Sequence, residues 1–444
     1  MLGSAWRVKR RGPALHETKD QLSRQAELAL LVGVELGEPG GISVEDSLAE
    51  LRALAESAGA RVVGATYQRL RKPDPFGLVG RGKLAEVGEK ARANAATLVI
   101  FDQALTPGQA RNVERELALP VIDRSQLIMD IFAQRAHTLE GKLQVEIAQL
   151  SYLQPRLVRQ WKHLSRQAVS GGAAARIGTR GPGETQLEVD RRRLRQRLDR
   201  LKRRLDEVQR TRSLQRSRRT ELAYPTVALV GYTNSGKTTL MNRVTGACLE
   251  TAARPFSTLD PTVRRLKLPG GVRAVMVDTV GFIHRLPHTL IDAFKATLEE
   301  VRGAGLLLHV VDAASPLAAE HARVVENVLA EIGAADIARL LVANKADLVE
   351  GTPPWAGDAL AVSALTGRGI DALVETIGAL LDGPREEVRV TLPSERNDLV
   401  AMARRDGRVL AEDYRDGVVR LSAVVSRPLA GRLRKAAAAC ALPR

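Results

Sequence analysis

The sequence predicts a multidomain α/β protein: an N-terminal parallel α/β domain, a long basic helical hairpin forming a coiled coil, a P-loop α/β domain and a small α+β C-terminal domain. Three observations carry this. Apolar runs of strand length alternate with helix-period segments in two separate stretches. Between them the period turns purely helical and the charge strongly basic. After that, a strand leads directly into Gly231-Tyr232-Thr233-Asn234-Ser235-Gly236-Lys237-Thr238, a match to G-x-x-x-x-G-K-[ST]. At 444 residues the chain is too long for one core. The expected division is a basic, disordered N-terminus (1–26), the N-terminal domain (27–138), the hairpin (139–222), the P-loop domain (223–384) and the C-terminal domain (385–444).

In the N-terminal domain the strands are expected at Leu28–Val34, Arg61–Ala65, Thr97–Phe101 and Pro120–Asp123, with helices at Ser43–Ser57, Lys83–Asn94, Thr106–Leu117 and from Arg124 to about Ala136. Gly80-Arg81-Gly82-Lys83 is too short for a phosphate loop of the Walker type. From Leu139 the apolar residues Leu143, Ile147, Leu150, Leu157, Trp161 and Leu164 lie on or near one stripe, and Pro155 is a kink candidate. A glycine-rich loop spans Ser170–Thr185. Beyond it Leu194, Leu198, Leu201, Leu205 and Val208 alternate at spacings of four and three, the seam of a coiled coil. Further strands are expected at Thr226–Val230, Arg273–Val277, Leu306–Val311, Arg339–Ala343 and Ala359–Val362. The C-terminal module should hold strands at Val388–Leu392, around Arg408–Tyr414 and at Val418–Ser422, a helix from Ser394 to about Arg405, and a last helix after Pro428.

Charge narrows the partner. Net charge is +16, and Arg156–Thr220 holds 20 Lys and Arg against 6 Asp and Glu, a surplus of 14 in one segment. Arg191-Arg192-Arg193, Lys202-Arg203-Arg204 and Arg216–Arg219 repel one another unless a phosphate backbone accepts them. A spacer coil would alternate its signs instead. With aromatics at 3%, stacking of bases on exposed rings is not expected, and backbone contact with folded RNA fits better. Arg176 and Arg180, on the glycine-rich tip, are the candidate RNA-binding residues. There is no run of about 18 apolar residues, so no membrane span is expected. The basic start lacks the apolar stretch of a signal peptide, and Cys248 and Cys440 form neither a CxxC pair nor a disulfide framework. A monomer in the cytosol is expected. The seven histidines show no metal spacing.

The chemistry-bearing motifs follow the phosphate loop in a set order. Its backbone N–H groups, from Gly231 through Thr238, cradle phosphates, Lys237 reaches the β and γ oxygens, and the Thr238 hydroxyl takes Mg²⁺. Phe256-Ser257-Thr258-Leu259-Asp260-Pro261-Thr262 reads as a loop in which Thr258, or failing it Thr262, coordinates Mg²⁺ only when γ-phosphate is present. In Asp278-Thr279-Val280-Gly281 the carboxylate reaches Mg²⁺ through water and the Gly281 N–H meets the γ-phosphate. Asn344-Lys345-Ala346-Asp347 is N-K-x-D, whose carboxylate pairs both N1–H and N2–H of guanine, which adenine cannot offer. Ser363-Ala364-Leu365 can close over the base. GTP is therefore the expected substrate, Mg²⁺ the cofactor, and Lys237, Thr258 and Gly281 the residues that act on the reacting phosphate. Phe282 occupies the position where many such enzymes carry a water-orienting glutamine.

With these motifs placed, the chain resembles the HflX family of ribosome-associated GTPases. The resemblance also rests on Asp123–Phe132, Gln149–Leu157 and Gly178-Thr179-Arg180-Gly181-Pro182-Gly183-Glu184-Thr185-Gln186-Leu187-Glu188, and covers roughly Leu28 to Leu381. It implies the same four-part organisation, binding to the large ribosomal subunit and its rRNA, and splitting of stalled or idle ribosomes under stress. For some members it also implies ATP-dependent RNA remodelling by the N-terminal region. A hydrophobic residue after D-x-x-G is usual in the family. Asn234 resembles the asparagine of GTPases that hold K⁺ where others use an arginine finger, which leaves potassium dependence open. The rival is a GTP-dependent RNA-binding or ribosome-assembly factor that splits nothing.

Overall fold

The computed structural model describes residues 27–440 apart from 37–41, 170–181, 222–223, 250–254, 270–272, 286–289, 291–294, 352–354, 356, 383–384 and 416. The N-terminus 1–26 and the tip residues Arg176 and Arg180 thus lie outside the described residues. The chain divides into two compact units, Met1–Asp130 and Ile131–Arg444.

The first unit is a four-stranded parallel sheet, β1 (Leu28–Leu36), β2 (Arg61–Leu70), β3 (Leu98–Phe101) and β4 (Val121–Asp123), in the order β2-β1-β3-β4. A strand covered on both faces can be apolar throughout, and Ala29–Val32 are at most 1% exposed. Helices α1 (Val44–Ser57), α2 (Arg81–Ala93) and α3 (Pro107–Leu117) cross between the strands. Ser43 caps α1 by accepting from the Asp46 N–H, and Thr106 with Gln109 forms a capping box on α3. Two expectations shift. β2 runs on to Leu70, because pairing with β1 continues to Leu36 after its side chains turn polar. α2 begins at Arg81, whose guanidinium lies 4.9 Å over the Phe76 ring, so Gly80-Arg81-Gly82-Lys83 is a helix start. Helix α4 (Arg124–Arg135) runs across the division between the units.

In the second unit α5 (Leu139–Val169) passes through Pro155 as one helix and packs against α6 (Pro182–Glu221). The expected loop is shorter at its C-terminal end, because Pro182, with φ preset for a helix and no N–H to leave unpaired, starts α6. On the seam Leu198 is buried, Leu194, Leu201, Leu205 and Val208 are half-buried, and Arg197 donates to Glu146 across the pair.

A six-stranded sheet follows: β5 (Thr226–Gly231), β6 (Thr262–Lys267), β7 (Arg273–Asp278), β8 (Leu306–Asp312), β9 (Arg339–Asn344) and β10 (Leu360–Ala361), ordered β10-β9-β8-β5-β7-β6. Helices α7 (Lys237–Thr245), α8 (Lys295–Arg302), α9 (Ala318–Glu331) and α10 (Ile370–Asp382) accompany it. β6 is antiparallel to β7 and adds a strand to those the sequence predicts. As an edge strand it buries only Leu266 fully, so its sequence carries little apolar alternation. The last module has an antiparallel sheet in the order β11-β13-β12, formed by β11 (Arg385–Pro393), β12 (Arg408–Arg415) and β13 (Val418–Ser426), and packed with α11 (Asn397–Asp406) and α12 (Arg427–Cys440). A 3₁₀ turn, Ser394–Arg396, precedes α11, and α12 takes Pro428 into its first turn. No helix among the described residues is long and apolar enough to cross a membrane.

Leu198→Ala should cost about 2–5 kcal/mol locally, since it empties a buried seam position. Amide exchange should then quicken along α5 and α6, whereas Leu153→Ala, at a 40% exposed position, should leave it unchanged.

Candidate functional site

Parallel pairing brings four strand ends to one edge of the large sheet. Gly231 ends β5, Asp278 ends β7, Asp312 ends β8 and Asn344 ends β9, and a crevice at such an edge is where open α/β sheets take ligands. The phosphate loop fills that crevice. Gly236 has φ of 89°, and a Cβ there would stand 2.3 Å from Asn344 Nδ2, so only glycine fits. Asn344 reaches both ways. Its Nδ2 donates to Ser235 O at 2.9 Å and its Oδ1 accepts from Ala364 N at 3.0 Å, fixing the phosphate loop to the loop Ser363-Ala364-Leu365.

Lys237 is buried, and its ammonium donates to Gly231 O at 3.1 Å and Tyr232 O at 2.8 Å. Burial pushes it down to about 8, and the Asp278 carboxylate opposes the drop. Three oxygens converge beside it. Thr238 Oγ1 donates to Asp278 Oδ2 at 2.7 Å, Thr258 Oγ1 lies 3.1 Å from the same oxygen, and the two hydroxyls are 2.7 Å apart. Burial lifts the Asp278 carboxyl above the usual range, against the two hydroxyls and Lys237, which favour its charge. Its Oδ1 is buried without a hydrogen-bond partner. A small, hard cation between two hydroxyls and an under-satisfied carboxylate is what this donor set fits.

Thr233, Asn234, Gly236, Lys237, Thr238, Phe256, Ser257, Thr258, Thr279 and Gly281 line one cavity. Gly281 is packed so tightly that a Cβ would meet Lys237 Nζ and Thr233 Cα at 3.0 Å. Phe282 is 3% exposed and turned inward. Its backbone is clasped to the phosphate loop, donating to Gly231 O at 3.1 Å and accepting from Thr233 N at 2.7 Å. Leu259 and Val280 are both buried, and neither lines the cavity. The Asp260 carboxylate accepts from Thr138, away from the phosphate loop.

On the base side Ala346 N donates to Val362 O, Lys345 pairs with Asp312 at 2.6 Å, and Asp347 is exposed. Sequence reasoning missed Arg243. From α7 its Nε donates to Ala364 O at 3.0 Å and its Nη2 to Leu365 O, so it holds the backbone of that loop. The partners lie more than 120 residues away, so no local pattern marks it. Tyr232 does more than its place in the motif implies. Its hydroxyl accepts from His284 N at 2.8 Å and its ring stacks on His321 at 3.8 Å.

Four family models match in succession: GTP-binding GTPase N-terminal over residues 45–133, GTP-binding GTPase Middle Region over 135–219, 50S ribosome-binding GTPase over 226–345, and HflX C-terminal domain over 354–437. A GTPase HflX of Caldanaerobacter subterraneus subsp. tengcongensis is 43% identical over 94% of this chain and 95% of its own, and the Escherichia coli GTPase HflX is 46% identical over 80% and 83%. A crystal structure of a GTP-binding protein from Sulfolobus solfataricus in complex with GDP is 24% identical over 80% of this chain and 98% of that one, with a TM-score of 0.41.

The buried Lys237 predicts proton uptake. With its ammonium down to about 8, the group is charged at pH 7 and loses its proton as pH rises through 8. Phosphate charge restores the proton. Metal-free GDP binding, followed by calorimetry in buffers of different ionisation enthalpy, should take up more protons at pH 8.5 than at pH 7.

Proposed function

The chain belongs to the HflX family of GTPases and hydrolyses GTP, and from that premise we propose that it binds the large ribosomal subunit and uses the GTP cycle to separate stalled or idle ribosomes into subunits. The observation that carries this is the outward face of α6. Arg191, Arg192, Arg193, Arg195, Arg200, Lys202, Arg203 and Arg204 are exposed while the leucine seam faces α5. A helix pair whose exposed side is basic is suited to a polyphosphate backbone, and rRNA supplies one. The tip residues Arg176 and Arg180 would extend that contact. The protein would act as a cytoplasmic, ribosome-associated monomer, with domains at 27–138, 139–222, 223–384 and 385–444.

In this reading the loop amides from Gly231 to Thr238 and the Lys237 ammonium bind the phosphates. Asp347 selects guanine, and the loop at Ser363–Leu365, held by Asn344 and Arg243, closes on the base. Thr238 and Thr258 would hold Mg²⁺ directly and Asp278 through water. When bound, the ion would neutralise the charge that develops on the phosphates. Gly281 offers its N–H to the γ-phosphate. Nothing at Phe282 orients water: its ring is buried and its backbone is engaged. The large subunit therefore supplies the missing alignment, and a K⁺ held by Asn234 is a second source of charge stabilisation.

Single-turnover hydrolysis by the free protein should be slow and should rise at least tenfold with large subunits. Running it in potassium and in sodium buffers tests Asn234. Fast, ribosome-independent turnover would show a catalytic group elsewhere in the chain. Light scattering of vacant ribosomes with protein and GTP reads the splitting itself, and GTP-dependent binding without dissociation would point to an assembly factor. Replacing Arg193 and Arg200 with alanine should lower the slope of log affinity against log salt by about 0.7–0.9 for each phosphate that is no longer neutralised. Asp347→Asn should weaken guanine nucleotides and admit xanthine ones, read by nucleotide competition, because the new amide matches the changed base edge.

A further inference from the structure

The loop that carries Thr258 is fastened on both sides to the chain that leads into the hairpin. Before it, Phe256 is 2% exposed and meets the Phe132 ring edge-on, centroids 4.6 Å apart. It does so at φ of 58°, a left-handed conformation that a bulky side chain rarely adopts, so packing holds the backbone against its own preference. After it, the Asp260 carboxylate closes on the start of α5. Oδ2 accepts from the backbone N–H groups of His137 at 3.0 Å and Thr138 at 2.9 Å, and Oδ1 accepts from the Thr138 hydroxyl. That hydroxyl in turn accepts from Gly141 N at 3.0 Å. Thr138 is therefore the N-cap of α5, and Asp260, from a loop more than 120 residues away, satisfies the donors that the cap leaves over. An anion there also complements the helix dipole. Gly141 makes room: a Cβ on it would stand 2.4 Å from Asp260 Oδ1, a carboxylate already tied by three hydrogen bonds.

Between these two fastenings sits Thr258, whose hydroxyl lies 2.7 Å from Thr238 Oγ1 and 3.1 Å from Asp278 Oδ2. We propose that Asp260 is a positioning residue for GTP hydrolysis, holding the Thr258 loop on the N-cap of α5 so that the phosphate site and the first arm of the hairpin share one conformational equilibrium. The inference rests on the reading of Thr258 as a γ-phosphate-dependent Mg²⁺ ligand, but needs no ribosome. Two groups placed by the same carboxylate cannot relax independently. γ-Phosphate that draws Thr258 in steadies the first turn of α5. By linkage, whatever steadies that turn favours the triphosphate state to the same degree.

The test uses the full-length chain without ribosomes. GDP does not call on Thr258, so Asp260→Asn should keep GDP affinity within about twofold of wild type while affinity for a non-hydrolysable GTP analogue with Mg²⁺, and kcat, fall about tenfold or more, a factor set by the usual allosteric coupling range. A purely structural loss would lower both nucleotides together. Amide exchange over 139–143 should slow by about fivefold or more between the GDP and analogue states in wild type, and lose that difference in Asp260→Asn and Gly141→Ala, given the same coupling range. Should Asp260→Asn fail to bind GDP at all, Thr138→Val, which removes the bridging hydroxyl, with Thr138→Ser restoring it, carries the same comparison. An unchanged ratio of GTP-analogue to GDP affinity, or an exchange difference that survives the variants, overturns the coupling. Ribosome splitting can fail with the coupling intact, and the coupling can fail with splitting intact, so the two readings fall separately.

Discussion

β5 is hydrogen-bonded in parallel to β7 on one side and β8 on the other, with Leu229 opposite Asp278 and Gly231 opposite Val310. That register decides what can meet at the sheet's edge. A slip of one residue would send Asp278 to the opposite face of the sheet and strand a carboxylate in the apolar core. The pairing is in turn fixed by Val227, Leu229, Met276 and Leu308, all 0% exposed, whose side chains have no alternative place. The apolar core and the charged site are thus two readouts of one ladder. Lys237 and Asp278 can stay buried because the ladder holds them close enough for their charges to favour each other, with the loop carbonyls accepting from Lys237 and the two threonine hydroxyls on Asp278 Oδ2.

How much of this can be read from residues alone depends on distance along the chain. The phosphate loop, D-x-x-G and N-K-x-D are short, and the physics that requires each residue acts within its own turn. The nucleotide chemistry and the P-loop domain follow from them, and the family needs the runs at 123–132, 149–157 and 178–188 as well. β6 is not legible because one buried leucine is enough for an edge strand. The start of α6 at Pro182 is hidden inside a glycine-rich run, where proline reads equally as loop or as first helical residue. Arg243 looks like any basic residue in the last turn of a helix. Asp260 lies inside a motif and reads with it as a nucleotide-binding residue, whereas its carboxylate caps a helix more than 120 residues earlier. A partner that remote leaves no trace in spacing.

Phe282 shows the same limit from the other side. Its identity excludes a water-orienting side chain, and that much is sequence. The structure adds that its backbone forms a short parallel bridge with Tyr232, so the segment after Gly281 leans on the phosphate loop through main-chain bonds that any residue could make. What phenylalanine contributes is the buried ring that keeps the bridge dry. Together with the Tyr232 hydroxyl on His284 N, this makes the stretch around Gly281 a part of the loop's own scaffold, and a side chain on Gly281 would crowd Lys237 and the Thr233 backbone, with a Cβ at 3.0 Å from each.

The helices of the hairpin also set a scale. At about 1.5 Å per residue, the 31 residues of α5 reach about 46 Å and the 40 of α6 about 60 Å. The contact between Asp260 and Thr138 lies at the very base of α5, where the lever is shortest. A tilt of about 5° there, which displaces the first turn by a few tenths of an ångström, sweeps the far end of α5 through about 4 Å, roughly the rise of two to three helical residues. A rigid arm of this length would act as a gear: a pivot at its base no larger than the swap of one hydroxyl ligand would reach the distal end as a movement of a few ångströms.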